Sequence, residues 1–413
     1  MPSVLFKERY FALDGLRAVM MLLGVVLHSA LPYATWTFSV YSAYHDSAHT
    51  TLLSGVAFLI HLFRMPVFFV MAGFFGGLTW HAHGARGLVR NRLKRVLLPL
   101  GVSWVALFPL TVLCAAFTML GGPSGVTRVV QQLHSGALLA QNNLTLPQLV
   151  MQLGLIHLWF LYFLLLFYGA ITLLVIGVRR LPQKSKNWID TAFQWVVAQP
   201  AGVLLLAAVT LATMLVMRPA YKDVTGIEGT NAFLPPLAIP LTYFVFFVFG
   251  WLLFRHKHLL TRFRNHAWSY TGFGLITAGL YAFLIVYPVS VSAHLVQVAV
   301  AAPAIWLLSL GVIGLAIRYL SQPTELFRYL SEASYWVYLV HLPLTLLLPG
   351  LLIGVPLPAL LKFILICAST TVFSLLTYQY WVRTTRLGVL LNGRRLAPYA
   401  FLGRFKKMNK RQL

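Results

Sequence analysis

The stretch FALDGLRAVMMLLGVVLHS, residues 11–29, constrains this chain most: it is apolar and long enough to cross a bilayer, yet it holds Asp14, Arg17 and His28. About twenty such residues in a helix match the hydrocarbon thickness. A charge at that depth costs about 2.5–3.5 kcal/mol or more unless it pairs or faces a wet cavity, so ionisable groups inside a span mark ligand or ion paths. On an unbroken helix Arg17 and His28 fall close to one face, roughly 16 Å apart along the axis. That spacing predicts one elongated site with a residue at each end. The plainer alternative is that Asp14 caps the helix, Arg17 snorkels to the headgroups and His28 sits at the wet end.

Similar apolar runs recur along the 413 residues. The chain is 59% hydrophobic and only 10% charged, with a mean hydropathy of +0.79, which excludes an ordinary soluble globular domain. The expected fold is all-α and polytopic, with about ten transmembrane helices near 11–31, 52–78, 96–120, 155–178, 200–217, 237–254, 268–288, 294–317, from about Glu332 onward, and 357–382. The first run holds charges and is expected to belong to the fold rather than to be a cleaved signal. Residues 1–382 are read as one transmembrane domain and 383–413 as a basic cytoplasmic tail.

Ten spans sort the connections into two sets. Of the 32 Lys and Arg, one set holds only Arg128, Arg218 and Lys222, and Arg17, Arg64 and Lys362 fall in spans. All the others lie on the opposite side, which predicts both termini in the cytoplasm. The formal charge of +24 therefore points to anionic membrane lipid and not to nucleic acid, because the cations sit in short segments beside the spans. Cys114 and Cys367 lie within apolar runs and read as packing residues.

Arg64 is placed mid-membrane, and none of the eight acids falls near its level. A buried guanidinium stays charged and needs water, carbonyls or an external anion, which suggests an anionic ligand. His28 is the best general-base candidate, since imidazole titrates near neutrality. His157 is expected at the same membrane face, with His61 and His341 at intermediate depths. Arg90, Arg92, Lys94 and Arg95 either gather phosphates or only hold topology, and Arg17 either joins them or pairs with Asp14. Ser334, Tyr338 and His341, at intervals of four and three, give one polar stripe facing the cavity. Tyr338 or His341 is a candidate to stabilise an oxyanion. Glu332 is expected to orient Arg17 or to favour a helix start. Tyr33, Trp36, Tyr41, Tyr44 and Trp159 suit sugar stacking or an interfacial aromatic belt. No metal is expected: there is no HExxH, and the histidine depths look dispersed. No glycine-rich phosphate loop of Walker or dinucleotide type occurs.

Five segments taken in order carry a resemblance. They are the opening run with its Arg17 and His28, FRMPVFFVMAGFF at 63–75, RNRLKRVLLP at 90–99, HLWFLYFLL at 157–165 and SYWVYLVHLPLTL at 334–346. Together they resemble the membrane acyltransferase-3 family over nearly the whole membrane core, and within it the branch that modifies osmoregulated periplasmic glucans. The resemblance implies a bacterial inner-membrane enzyme, with acyl-CoA, succinyl-CoA for the succinylating branch, as cytoplasmic co-substrate. It also implies a periplasmic beta-glucan hydroxyl as acceptor, glucan biosynthesis proteins as partners, and essential roles for Arg17 and His28. The RNRLKR segment would contribute to the donor region, and a stand-alone transferase without a fused extracellular domain is expected. On the residues alone, a transporter of an anionic solute and a recruiting protein for glucan assembly remain open.

Overall fold

The computed structural model describes residues 10–35, 44–134, 154–199, 201–216, 226–227, 229–287, 293–322 and 324–397. Trp36, Tyr41, Arg218, Lys222 and the tail beyond 397 lie outside them. Among the described residues the regular structure is helical, apart from one isolated bridge between Ala34 and Thr50.

The membrane-length helices, numbered here with the shorter ones in chain order, are α1 (Phe11–Ala30), α2 (Thr51–Arg92), α3 (Leu98–Met119), α5 (Trp159–Arg179), α8 (Ala238–Arg255), α10 (Ala267–Val286), α11 (Ala293–Tyr319), α12 (Glu325–Leu351) and α13 (Ala359–Thr377). The shorter ones are α4 (Gly122–His134), α6 (Gln183–Ala198), α7 (Gly202–Val216), α9 (Leu260–Asn265) and α14 (Arg386–Asn392). Among the described residues eight helical segments are long and apolar enough to cross a membrane, or nine if the bent pair α6 and α7 counts as one span.

Two departures separate this count from the ten expected. First, α2, a π-helical turn at Leu93–Leu97 and α3 form one segment of 69 residues. At about 1.5 Å per residue a straight rod of that length would be roughly three bilayer cores long. The backbone breaks out of helical geometry at Gly84, with φ 65° and ψ −171°, but the rest of the basic connection expected between two spans is helical. Second, the fifth expected run gives only the 15-residue α7, which meets the amphipathic α6 at 111°. Helix α6 fell in a connection on sequence grounds. Asp190 ties it to α8, accepting from Arg255 at 2.7 Å and lying 3.1 Å from His256.

The core forms where small residues let backbones approach. Helix α2 packs most heavily on α8, and at their crossing Gly73 lies against the Phe247 carbonyl and Gly250 against that of Val70, so a Cβ at either position would collide with backbone. Lipid supplies no hydrophobic drive between helices, so close packing of this kind holds spans together. Beside it Phe69 is surrounded by Phe160, Phe163, Phe167 and Tyr243, with ring centres 4.8–6.5 Å away. Leu173 and Val105, by contrast, are exposed on the outside of the bundle, as lipid-facing residues would be.

Helix α1 is enclosed by α2, α11, α12 and α13, with α12 its largest partner. Arg17 meets Ser331 at one end of that pair and His28 meets His341 at the other, so α1 and α12 run parallel. A buried ion pair then fixes the chain that follows His28. Lys362 of α13, 3% exposed, lies 2.9 Å from Asp46, 2% exposed. The Asp46 amide donates to the Pro32 carbonyl at 2.9 Å, and Asp46 accepts from the Ala48 amide at 2.8 Å. Lys362, expected as an isolated cation in a span, is thus neutralised from the segment after α1.

Candidate functional site

The site has two ends, both on the face of α1 that meets α12. At the first end, Arg17 donates to the Ser331 hydroxyl at 2.6 Å and to the Ser331 carbonyl at 3.1 Å. Asp14, one turn earlier, lies 3.5 Å from it. Asp14 does not cap the helix: the N-cap is Tyr10, without a side-chain cap bond. Ser334 donates to the same Ser331 carbonyl at 2.8 Å, so the expected polar stripe of α12 is divided, with Ser334 serving the arginine end and Tyr338 and His341 the other.

Glu332 is not the partner of Arg17. Its carboxylate is buried and ion-paired to Arg383 at 3.0 Å, with Arg328 and Arg394 each at 3.5 Å. Arg383 and Arg394 belong to the stretch read as tail. Helix α14 in that stretch packs on α12 and on the turn at Leu93–Leu97, so the first part of the tail is docked.

The basic segment also divides. Arg92 lies over the Tyr168 ring at 4.2 Å and donates to the Thr79 hydroxyl at 3.4 Å. Arg95 is half-buried and close enough to Arg92 and Arg17 to feel both charges. Arg90 and Lys94 are exposed and line a shallow depression of about 430 Å³ with Ala85, Arg86, Val89 and Leu93. At about 100° per residue, positions 90 and 94 share one face of the helix and 92 and 95 another.

At the second end three imidazoles meet. The His28 and His341 ring centres are 5.2 Å apart and those of His157 and His341 5.5 Å. This corrects the expectation of dispersed depths: His157 and His341, 184 positions apart in sequence, are brought to His28 by packing. A proline makes the local arrangement. Pro343 has no N–H, so the Leu339 carbonyl four residues earlier loses its helical partner, and His157 Nε2 lies 3.1 Å from that oxygen. The Tyr338 hydroxyl donates to the His157 carbonyl at 2.7 Å. It is therefore spent on positioning, and the oxyanion role expected for it is not supported by this geometry.

Arg64 completes this end. It is buried, its Nε donates to the Met20 carbonyl at 3.3 Å, and its guanidinium packs against Gly24, where a Cβ would collide with it. No carboxylate pairs with Arg64 among the described residues. Its charge acts electrostatically on His28, His61, His157 and His341, and His61 lies one helical turn before it on α2. Trp159 stands apart, packed on Phe163 and Tyr243 at ring separations of 5.2 and 5.5 Å. Among the described residues no group of three or more His, Cys, Asp and Glu is arranged to hold a metal ion. Sequence reasoning missed Ser331, Arg383 and the Asp46–Lys362 pair. None of these leaves a local signal in the sequence; the Leu339 carbonyl freed by Pro343, which His157 meets, does.

A membrane bundle that gathers imidazoles and an acid-free guanidinium at one end of a helix pair, and arginines at the other, is suited to group transfer. The acyltransferase domain family matches residues 10–379, and the chain belongs to that family: it is a multi-pass membrane acyl-transfer enzyme. Among relatives, it is 28% identical over 342 residues to the glucans biosynthesis protein C of Escherichia coli O17:K52:H18 strain UMN026, covering 82% of this chain and 83% of that one. It is 26% identical over 403 residues to the glucans biosynthesis protein C of Salmonella schwarzengrund strain CVM19633, covering 95% and 97%. No solved structure matches the chain.

Proposed function

We propose that this protein transfers a succinyl group from cytoplasmic succinyl-CoA to hydroxyls of a periplasmic beta-glucan, through ten spans with both termini in the cytoplasm. The observation that carries the reading is the histidine cluster around His28 beside Arg64, at the opposite end of the α1–α12 pair from Arg17. The parallel run of α1 and α12 agrees with the first and ninth of ten spans. The glucan acceptor rests on the relatives named for glucan biosynthesis.

Arg17, Arg92 and Arg95 form the cationic end and bind the phosphates of the donor; Arg90 and Lys94 add to the field from the exposed face. The acyl thioester reaches the histidine end. His28 takes the proton of the acceptor hydroxyl, the oxygen bonds to the thioester carbon, the C–S bond breaks, and the thiolate receives the proton. Arg64, lacking an acid, pairs with the free carboxylate of the succinyl group. The other polar residues of this end, His61, Tyr338 and His341, frame the acceptor.

The test is mass spectrometry of periplasmic glucans from cells with and without the protein, followed by donor competition in proteoliposomes. The expected result is a mass increment equal to a succinyl group, and a wild-type preference for succinyl-CoA over acetyl-CoA that Arg64→Ala abolishes. Equal use of both donors by wild type and variant overturns the carboxylate role. Anion flux without a covalent product selects a transporter instead.

A further inference from the structure

The three imidazoles differ in access and in what holds them. His28 is half-buried, whereas His341 is 1% exposed and His157 9%. His341 Nδ1 lies 2.7 Å from the Tyr338 carbonyl oxygen and 3.2 Å from that of Val337. A carbonyl can only accept, so Nδ1 carries the ring proton and Nε2 of the neutral imidazole bears a lone pair. That Nε2 is buried and has no hydrogen-bond partner among the described residues. A buried polar atom left unpaired is costly and uncommon, so such an atom calls for a donor.

The ring of His28 is placed to supply one. Its centre is 5.2 Å from that of His341, with the ring planes at 51°. At that separation, ring nitrogens turned toward each other come within the hydrogen-bond range of about 2.7–3.2 Å. His28 makes no hydrogen bond among the described residues, so no existing hydrogen bond has to break for its ring to turn toward His341. A fixed lone pair beside a partly exposed imidazole is the arrangement by which a third group orients a catalytic base.

We propose that His341 is a positioning residue for His28. Its Nε2 accepts the N–H of His28, which fixes the His28 tautomer and leaves the other His28 nitrogen basic and directed at the acceptor hydroxyl. When His28 takes the hydroxyl proton and becomes imidazolium, the His341 lone pair stabilises the added charge. The proton then passes from His28 to the departing thiolate, and His341 ends as it began. This assignment rests on the reading of His28 as base, and it replaces the oxyanion role first considered for His341, since a neutral Nε2 without hydrogen cannot donate.

Two substitutions separate positioning from packing. The amide of His341→Asn can still donate to the Tyr338 carbonyl, but it has no acceptor at the ε position. The longer His341→Gln places an amide oxygen there. Steady-state transfer from acyl-CoA to glucan is measured in proteoliposomes, with donor binding measured separately. His341→Asn is expected to lose about 10²-fold in kcat with donor KM unchanged, and His341→Gln to recover at least about tenfold of that loss, as an acceptor that cannot itself be protonated. A packing role predicts the reverse order, with Asn near wild type and Gln impaired. That order, equal loss in both, or loss of donor binding in both overturns the proposal. Wild-type protein that acylates no hydroxyl overturns the proposed function and this inference together. Wild-type transfer with a fully active His341→Asn overturns this inference alone.

Discussion

At the Arg17 end of the α1–α12 pair, charge is answered by charge: Asp14 faces Arg17, and buried Glu332 is surrounded by Arg383, Arg328 and Arg394. At the His28 end Arg64 has no carboxylate among the described residues, and His341 Nε2 and His157 Nδ1 are buried without partners. The first arrangement is a set of ion pairs, although Arg17 Nε and Arg92 Nε are likewise buried without hydrogen-bond partners among the described residues. The second holds a buried cation and imidazoles that no carboxylate among the described residues neutralises. Buried polar groups are normally satisfied, so a cluster that is not must gain partners by turning a neighbouring side chain or by meeting a ligand.

The contrast is sharpest in activity. His28→Ala is expected to reduce transfer by about 10²–10⁴-fold with donor binding intact, whereas Arg17→Ala acts mainly on donor KM. Single-turnover and binding measurements on both variants check this, and a His28→Ala whose main defect is donor binding would erase the distinction between the ends.

The Asp46–Lys362 pair ties the segment after α1 to α13, so breaking it tests whether that segment depends on it. Asp46→Ala leaves the Lys362 ammonium buried and uncompensated, an expected loss of about 3–5 kcal/mol, read as a lower melting temperature in detergent. The double replacement Asp46→Leu with Lys362→Met restores most of it. A single variant as stable as wild type would show that water reaches Lys362.

The smallest effect is expected on the exposed side of the basic segment. Arg90→Ala with Lys94→Ala changes stability by no more than about 0.5 kcal/mol and raises donor KM less than Arg92→Ala with Arg95→Ala does. Acyl-CoA titrations of the two double variants check the order, and the opposite order would move the donor to the shallow depression beside Arg90.

Much of the bundle was legible as hydropathy, because a span must satisfy its own backbone and cover itself with apolar side chains. The positions of α1, α5, α8, α10, α11 and α13 follow from that rule within a few residues. Helix α6 and the helical link between α2 and α3 did not, since amphipathic and basic helices carry no such signature. For the site, Arg17, His28 and Arg64 stood out because a charge in an apolar run is anomalous wherever its neighbours lie. Pro343 implies a freed carbonyl at Leu339, but not that His157 takes it.

The sequence by itself determined a membrane bundle, the depth-violating residues and the axial spacing of Arg17 from His28, all properties of a few consecutive residues. Only the tertiary structure decided that His157 and His341 join His28, that Glu332 turns to Arg383 instead of Arg17, and that Asp46 answers Lys362. Each of those contacts spans from about fifty to more than three hundred positions. Hydropathy and helical period measure the chain against the bilayer and against itself within a few turns, whereas partner choice is set by which helices pack side by side.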